Sequence, residues 1–214
     1  MSKYFNRKDF DSIKLNERIK TASSISFDNA EGKQQEYDVF ISHSTKDKDI
    51  VKKIRQLLEE KYGLSAYIDW EEDAGTTRNE VADKVKEAMN ISKSLIFIKT
   101  SNSDESQWTA WEVGRYDAIN SDRIGVLLVE DDNFYEADWL HREFLTDYII
   151  LEKDDIVPFV QNGAKKLIET KRRALDLNKA SQDKSFYFNA KEGKLETKET
   201  GKGTATKFYG DVKD

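Results

Sequence analysis

Tyr37-Asp-Val-Phe-Ile-Ser42 is a short apolar run of strand type, halted by His43-Ser-Thr-Lys46 and followed at once by an amphipathic segment. From Asp49 to Tyr62 the apolar residues Ile50, Val51, Ile54, Leu57, Leu58 and Tyr62 recur at helical spacing, and Gly63 supplies the stop beyond the last turn. The same strand-then-helix unit repeats downstream. Leu64 to Asp69 is a second strand, and after the polar loop Trp70-Glu-Glu-Asp-Ala-Gly-Thr76 the capping-box pattern Thr77-Arg-Asn-Glu80 opens a helix to about Asn90. Ser94 to Lys99 is a third strand, and the loop Thr100 to Glu105 leads into another helix. Ile124 to Glu130 has the continuous apolar run of a sheet centre, Tyr148 to Glu152 is a fifth strand, and a last helix spans about Asp155 to Asn178. Parallel strands need crossover connections, so this alternation predicts an α/β fold: a flavodoxin-like five-stranded parallel sheet in the order 2-1-3-4-5 with helices on both faces.

The flanks differ in character. Residues 1–35 are polar with scattered apolar positions, Phe10, Ile13, Leu15 and Ile19, that predict one weak amphipathic helix and then a linker, so they are assigned as an N-terminal extension. Residues 36–180 form the predicted domain. In residues 181–214, Ser185-Phe-Tyr-Phe and Lys194-Leu-Glu-Thr flank Ala190-Lys-Glu-Gly193, a pattern open to either a hairpin or a disordered tail.

Composition narrows the chemistry. A chain of 214 residues with 37% hydrophobic and 36% charged residues is long enough for one ordinary core and carries a charge-rich surface. No apolar run approaches the ~20 residues of a spanning helix, and Met1-Ser-Lys-Tyr-Phe5 lacks a signal-peptide apolar core, so a cytoplasmic location and no membrane partner are expected. The absence of cysteine removes disulfides, thiolate nucleophiles and Cys-based zinc sites, and His43 and His141 stand almost 100 residues apart, so no metal site is expected. A net charge of -6 argues against nucleic acid as a partner, and the local basic cluster Lys165, Lys166, Lys171, Arg172 and Arg173 reads as a solvated helix face.

In an open parallel sheet, ligands bind beyond the carboxyl ends of the strands, where the strand order reverses. For the order 2-1-3-4-5 that place lies between the first and third strands. The loop after the first strand is Ser42-His43-Ser44-Thr45-Lys46, and the loop after the third feeds the helix begun by Ser106-Gln-Trp-Thr-Ala-Trp-Glu-Val-Gly114. At about 100° per residue, Trp108, Trp111, Glu112 and Arg115 share one face of that helix while Ala110, Val113 and Asp117 turn away. Glu112 reads either as a catalytic carboxylate or as a solvated helix residue. Trp108 is open between ring contact with a ligand and core packing, and packing is favoured for Trp111 and Trp70. Ser42, His43, Lys46 and Asp69 are candidate contacts, each with an ordinary turn, core or surface role as its alternative.

Tyr37-Asp-Val-Phe-Ile-Ser-His-Ser44, Tyr67-Ile-Asp-Trp70 and Ser106-Gln-Trp108 with Trp111-Glu-Val-Gly114 together resemble a bacterial Toll/interleukin-1 receptor (TIR) domain over about residues 36 to 178, with a likeness to the stand-alone TIR proteins of antiphage systems such as the Thoeris group. The resemblance implies an enzyme that takes NAD⁺ as substrate, with no further cofactor, and cleaves the nicotinamide-ribose bond. Glu112 occupies the position of the family's essential glutamate, and the product implied is an ADP-ribose-derived signal read by a separate effector. It also implies self-association through TIR contacts. The loop Glu71-Glu-Asp-Ala-Gly-Thr-Thr77 lacks the proline of receptor-type domains, which sets adaptor-style contacts in doubt. The alternatives are a non-enzymatic TIR assembly module and a nucleoside deoxyribosyltransferase-like enzyme, which shares the doubly wound fold and a glutamate facing a sugar carbon.

Overall fold

The computed structural model describes residues 2–16, 36–68, 78–103, 106–131, 147–183, 186–189 and 194–197. Its main sheet contains β1 (Phe5–Asn6), β2 (Tyr37–Ser42), β3 (Ala66–Ile68), β4 (Ser92–Lys99), β5 (Ile124–Glu130) and β6 (Ile149–Leu151). All pairs are parallel, in the order β3-β2-β4-β5, with β6 and β1 both on β5. The five strands expected from the apolar runs are present in the expected order. The sixth, β1, was not foreseen.

The helices are α1 (Lys48–Tyr62), α2 (Arg78–Asn90), α3 (Gln107–Asn120), α4 (Ile156–Asn162) and α5 (Ala164–Asp183). Strand alternation sends Val39, Ile41, Ile96, Ile98, Leu127 and Val129 to one side, where α1 contributes Val51, Ile54 and Leu58 and α4 contributes Ile156, Phe159 and Val160. Phe40, Leu95, Phe97, Ile124, Val126 and Leu128 face the other side, against Val85, Ala88 and Met89 of α2 and Val113 and Tyr116 of α3. Two apolar layers therefore sandwich the sheet, which is why its central strands are apolar at nearly every position. Gly125 of β5 marks a close approach between the sheet and its cover: a Cβ there would lie 2.7 Å from Leu151 Cδ1 and 3.1 Å from Phe159 Cε1.

The N-terminal residues are not the weak helix that their spacing suggested. Phe5 and Asn6 pair with Val129 and Glu130, and a single 3₁₀ turn, Arg7–Phe10, follows under a capping box made by Asn6 and Asp9. Phe5 and Phe10 then join the α1 side of the core, their ring centroids 5.3 Å apart. β1 begins where β6 leaves off, with Lys153 N–H donating to the Lys3 carbonyl at 3.0 Å. Tertiary burial of two aromatic rings outweighs a local helical preference spread over four scattered residues.

The last helix is likewise broken. Gly163, at φ 84°, separates α4 from α5, and a Cβ at that position would lie 2.6 Å from Asp122 Oδ2. Asp122 accepts from Lys165 N–H at 2.8 Å, so its carboxylate satisfies a free amide in the first turn of α5. The core unit comprises residues 1–168; a second compact unit, 169–214, holds the remainder of α5 and the antiparallel pair β7 (Phe186–Asn189) and β8 (Lys194–Thr197). Among the described residues no helix is long and apolar enough to cross a membrane.

Candidate active site

Helix α3 starts where the loop after β4 delivers it. Ser106 caps it by accepting from Thr109 N–H at 3.3 Å, and at its far end the Tyr116 hydroxyl donates to the Ser92 carbonyl at 2.8 Å, with burial pushing that phenol up to about 12. Pinned at both ends, α3 turns Thr109, Glu112, Val113 and Tyr116 onto the sheet. The sequence placed Val113 away from Glu112, whereas both are buried. The apolar residues of this helix are spread around its circumference rather than gathered in one stripe, so its inward face is chosen by Tyr116 and by what Glu112 meets.

Glu112 is only 2% exposed, and its Oε2 accepts from the Ser42 hydroxyl at 2.5 Å. That distance is at the short end of the range for a hydroxyl donating to a carboxylate. Ser42 ends β2 and is itself buried, so the bond ties the last residue of one central strand to the helix that follows the other. This is the point where strand order reverses. Glu112 and Ser42, singled out separately in the sequence, are brought together there.

The other candidates divide. Trp108 is partly buried against the α2/α3 side of the core, its Nε1 has no hydrogen-bond partner, and its ring lies 4.8 Å from that of Trp111. Trp111 is the outer member of this pair, 37% exposed. Trp108 thus sits between Trp111 and the core, and Trp111 carries the more exposed ring of the two. Lys46 is exposed on the turn after β2. Asp69 and Trp70 lie outside the described residues.

His43 is buried beside Ser42, and desolvation lowers its pKa to about 4, against the opposing effects of its hydrogen bond to the Ile41 backbone and of Asp47; Lys48 adds to the lowering. The folded protein thus holds a neutral imidazole. The unfolded chain takes up a proton below the ordinary value near 6.5, so the stability His43 contributes is complete above that pH and is lost as pH falls toward 4. A shift of this size corresponds to about 3 kcal/mol. His43→Gln should therefore flatten the pH dependence: between pH 7 and pH 4.5, wild type should lose about 2 to 3 kcal/mol more than the variant in urea unfolding. Parallel stability curves would show that the imidazole is not held neutral by burial.

Several residues of this end of the sheet escaped the sequence reading. On the α1 face, buried Asp47 accepts from the Thr100 hydroxyl at 2.6 Å, Asn102 Nδ2 at 2.8 Å and Arg7 at 3.0 Å. It thereby joins the loops after β2 and β4 to the N-terminal segment. The sequence offered only a helix start at Asp47 and no sign of Arg7. Lys99, the last residue of β4, is 0% exposed, and its Nζ lies 3.5 Å from the Thr100 carbonyl. Among the described residues no group of three or more His, Cys, Asp or Glu is disposed to hold a metal ion.

These features define a doubly wound α/β domain with one buried carboxylate, tied to a serine, at its topological switch point. Residues 39–156 match the TIR domain family, and the chain belongs to that family. Among its relatives, a protein of Bacillus cereus (strain MSX-D12) named "Probable 3' cyclic ADP-D-ribose synthase ThsB'" is 32% identical over 133 residues, covering 60% of this chain and 67% of that protein. A Cytobacillus dafuensis protein named "Putative cyclic ADP-D-ribose synthase TIR2" is 39% identical over 82 residues, which are 36% of this chain and 21% of the relative. The "Probable 2' cyclic ADP-D-ribose synthase TcpO" of Methanobrevibacter olleyae is 33% identical over 87 residues, 40% of this chain and 24% of the relative. The chain thus spans two thirds of the first relative and less than a quarter of the other two.

Proposed function

We propose that this domain cleaves NAD⁺ at the nicotinamide-ribose bond and closes the remaining ADP-ribose into a cyclic signal. The observation that carries the reading is Glu112, withdrawn from water at the switch point and held by Ser42. The relatives named as cyclic ADP-ribose synthases support the same chemistry.

One carboxylate suffices for such a reaction. Nicotinamide is cationic within NAD⁺ and departs neutral, taking the electron pair of the broken bond, so no general acid is needed at the leaving group, unlike ordinary glycoside hydrolysis. Positive charge develops on the ribose ring instead. A fixed negative charge in a site of low dielectric stabilises that transition state without having to reorganise. Capture of the ribose cation by a hydroxyl of the same molecule, with loss of its proton, gives the cyclic product; capture by water gives linear ADP-ribose.

The proposed setting is bacterial antiphage signalling in the cytoplasm, with a separate effector reading the product and with association between copies raising activity. Incubation with NAD⁺ over a hundredfold range of protein concentration, with products identified by mass spectrometry, tests the reading. The expected result is nicotinamide together with a product one water lighter than ADP-ribose, formed faster per molecule as concentration rises. Intact NAD⁺ at every concentration would favour a non-enzymatic assembly module.

A further inference from the structure

β1 runs parallel to β5, so the turn that follows it, Arg7–Phe10, emerges at the carboxyl end of the sheet, the end at which Ser42 and Glu112 meet. There Arg7 stands between two carboxylates: its Nη2 lies 3.0 Å from Asp47 Oδ1 and its Nε 3.9 Å from Asp131 Oδ2. The same two carboxylates hold three successive side chains of the loop after β4. Asp47 accepts from the Thr100 hydroxyl and from Asn102 Nδ2, and Asp131 accepts from the Ser101 hydroxyl at 2.9 Å. Hydrogen bonds to an ionised group are roughly twice as strong as neutral ones, and the planar fork of a guanidinium fixes where its carboxylates sit as well as balancing their charge.

From this knot a line of hydrogen bonds reaches the start of α3. The Ser103 hydroxyl donates to the Thr100 carbonyl at 2.8 Å and accepts from Thr100 N–H at 3.3 Å. Ser106 N–H donates to the Ser103 carbonyl at 3.4 Å, and Ser106 is the residue whose side chain caps α3. Glu112 follows on the second turn of that helix. In the other direction, Asp47 N–H donates to the Ser44 carbonyl at 2.9 Å, close behind Ser42. Both partners of the Ser42–Glu112 bond are therefore carried by backbone that Asp47 ties down. The Asp47 side chain is 0% exposed and that of Arg7 is 40% exposed. Removing the partner of a buried charge is strongly destabilising, so the guanidinium matters to everything Asp47 holds, and it comes from a segment that the sequence marks as an extension.

We propose that Arg7 is a positioning residue of the site: by bridging Asp47 and Asp131 it fixes the loop after β4, and through that loop the setting of α3 and the aim of Glu112. The proposal deepens the NAD⁺ reading and rests on that reading only for its kinetic arm. It makes the N-terminal segment part of the catalytic apparatus, although Arg7 itself touches neither Ser42 nor Glu112.

The test is Arg7→Met, which keeps an unbranched side chain and loses the guanidinium, read by hydrogen exchange and by steady-state kinetics on NAD⁺. Backbone amides of residues 100–109 should exchange about tenfold faster or more than in wild type, while those of β2 and β4 stay protected. kcat should fall by about tenfold or more, since a small misplacement of a catalytic group is costly. KM should stay within about threefold of wild type, because the aim of Glu112 is lost rather than uniform binding. A loop that exchanges as in wild type, a kcat within about threefold of it, or a change confined to KM overturns the proposal. Should Arg7→Met fail to fold because Asp47 is left buried without its countercharge, adding Asp47→Asn removes that charge, and the double variant should fold with the same fast loop and the same loss of kcat. A double variant that also fails to fold, or that turns over like wild type, overturns the proposal. The exchange measurement needs no NAD⁺, so a wild type that leaves NAD⁺ intact refutes the NAD⁺ reading while the loop still decides the clamp.

Discussion

Glu112→Gln should leave a folded protein whose NAD⁺ turnover falls by ~10²-fold or more, the usual consequence of removing one well-placed electrostatic group. Glutamine matches glutamate in length and keeps an oxygen that can accept from the Ser42 hydroxyl, so the link between α3 and β2 need not break. What disappears is the negative charge. Because that charge is buried, its influence on a developing ribose cation is far less screened than that of a surface carboxylate, which is why the expected loss is large. Circular dichroism with a cooperative melt establishes that the variant is folded, and nicotinamide release gives the rate. Turnover like that of wild type in a folded variant would remove Glu112 from the chemistry.

Phe10→Ala should cost about 3 to 5 kcal/mol of stability, the range for deleting a fully buried aromatic ring. Phe10 is 1% exposed and packs with Phe5 into the same cluster as Ile54, Leu127 and Phe159, although it lies in a stretch that its own sequence marks as an extension. Against a typical domain stability of about 5 to 15 kcal/mol, this would be a large fraction. Ile119→Ala is the matched control: at 45% exposed on α3 it should change stability by about 0.5 kcal/mol or less. Urea unfolding of the two variants side by side measures both. A loss below about 1 kcal/mol for Phe10→Ala would mean that the N-terminal segment does not share the core.

Much of this architecture was legible because local and tertiary signals agreed. The runs at residues 37–42 and 124–130 become β2 and β5 with the same bounds, since strands covered on both faces are apolar throughout. Helix α1 follows its apolar spacing and ends at Gly63, whose φ of 67° is the left-handed stop expected of a glycine there. β1 was illegible because two residues have no period and their pairing depends on Val129 and Glu130, more than a hundred positions away. The break at Gly163 follows from Asp122, likewise distant in sequence. At the site, Glu112 and Ser42 could be placed by topology, because the switch point is a property of strand order. Asp47 and Lys99 could not: a charged residue is read as surface unless its partner is known, and their surroundings are assembled from separate strands and loops.

The outer strands of the sheet have a bearing on whether another chain can add to it. β3 and β6 have three residues each and β1 has two, while the long strands β2, β4 and β5 are interior to the order. An unpaired strand edge is a template for recruiting another chain, and short outer strands are one way in which proteins blunt it. Where β6 stops, β1 continues alongside β5 and covers two more of its residues. Among the described residues the sheet therefore offers no run of open backbone long enough to grow by strand addition. At the described edges of this sheet, contact with another chain is therefore left to side chains, which are individually replaceable by mutation, so any association there can be tuned residue by residue without extending the β-ladder.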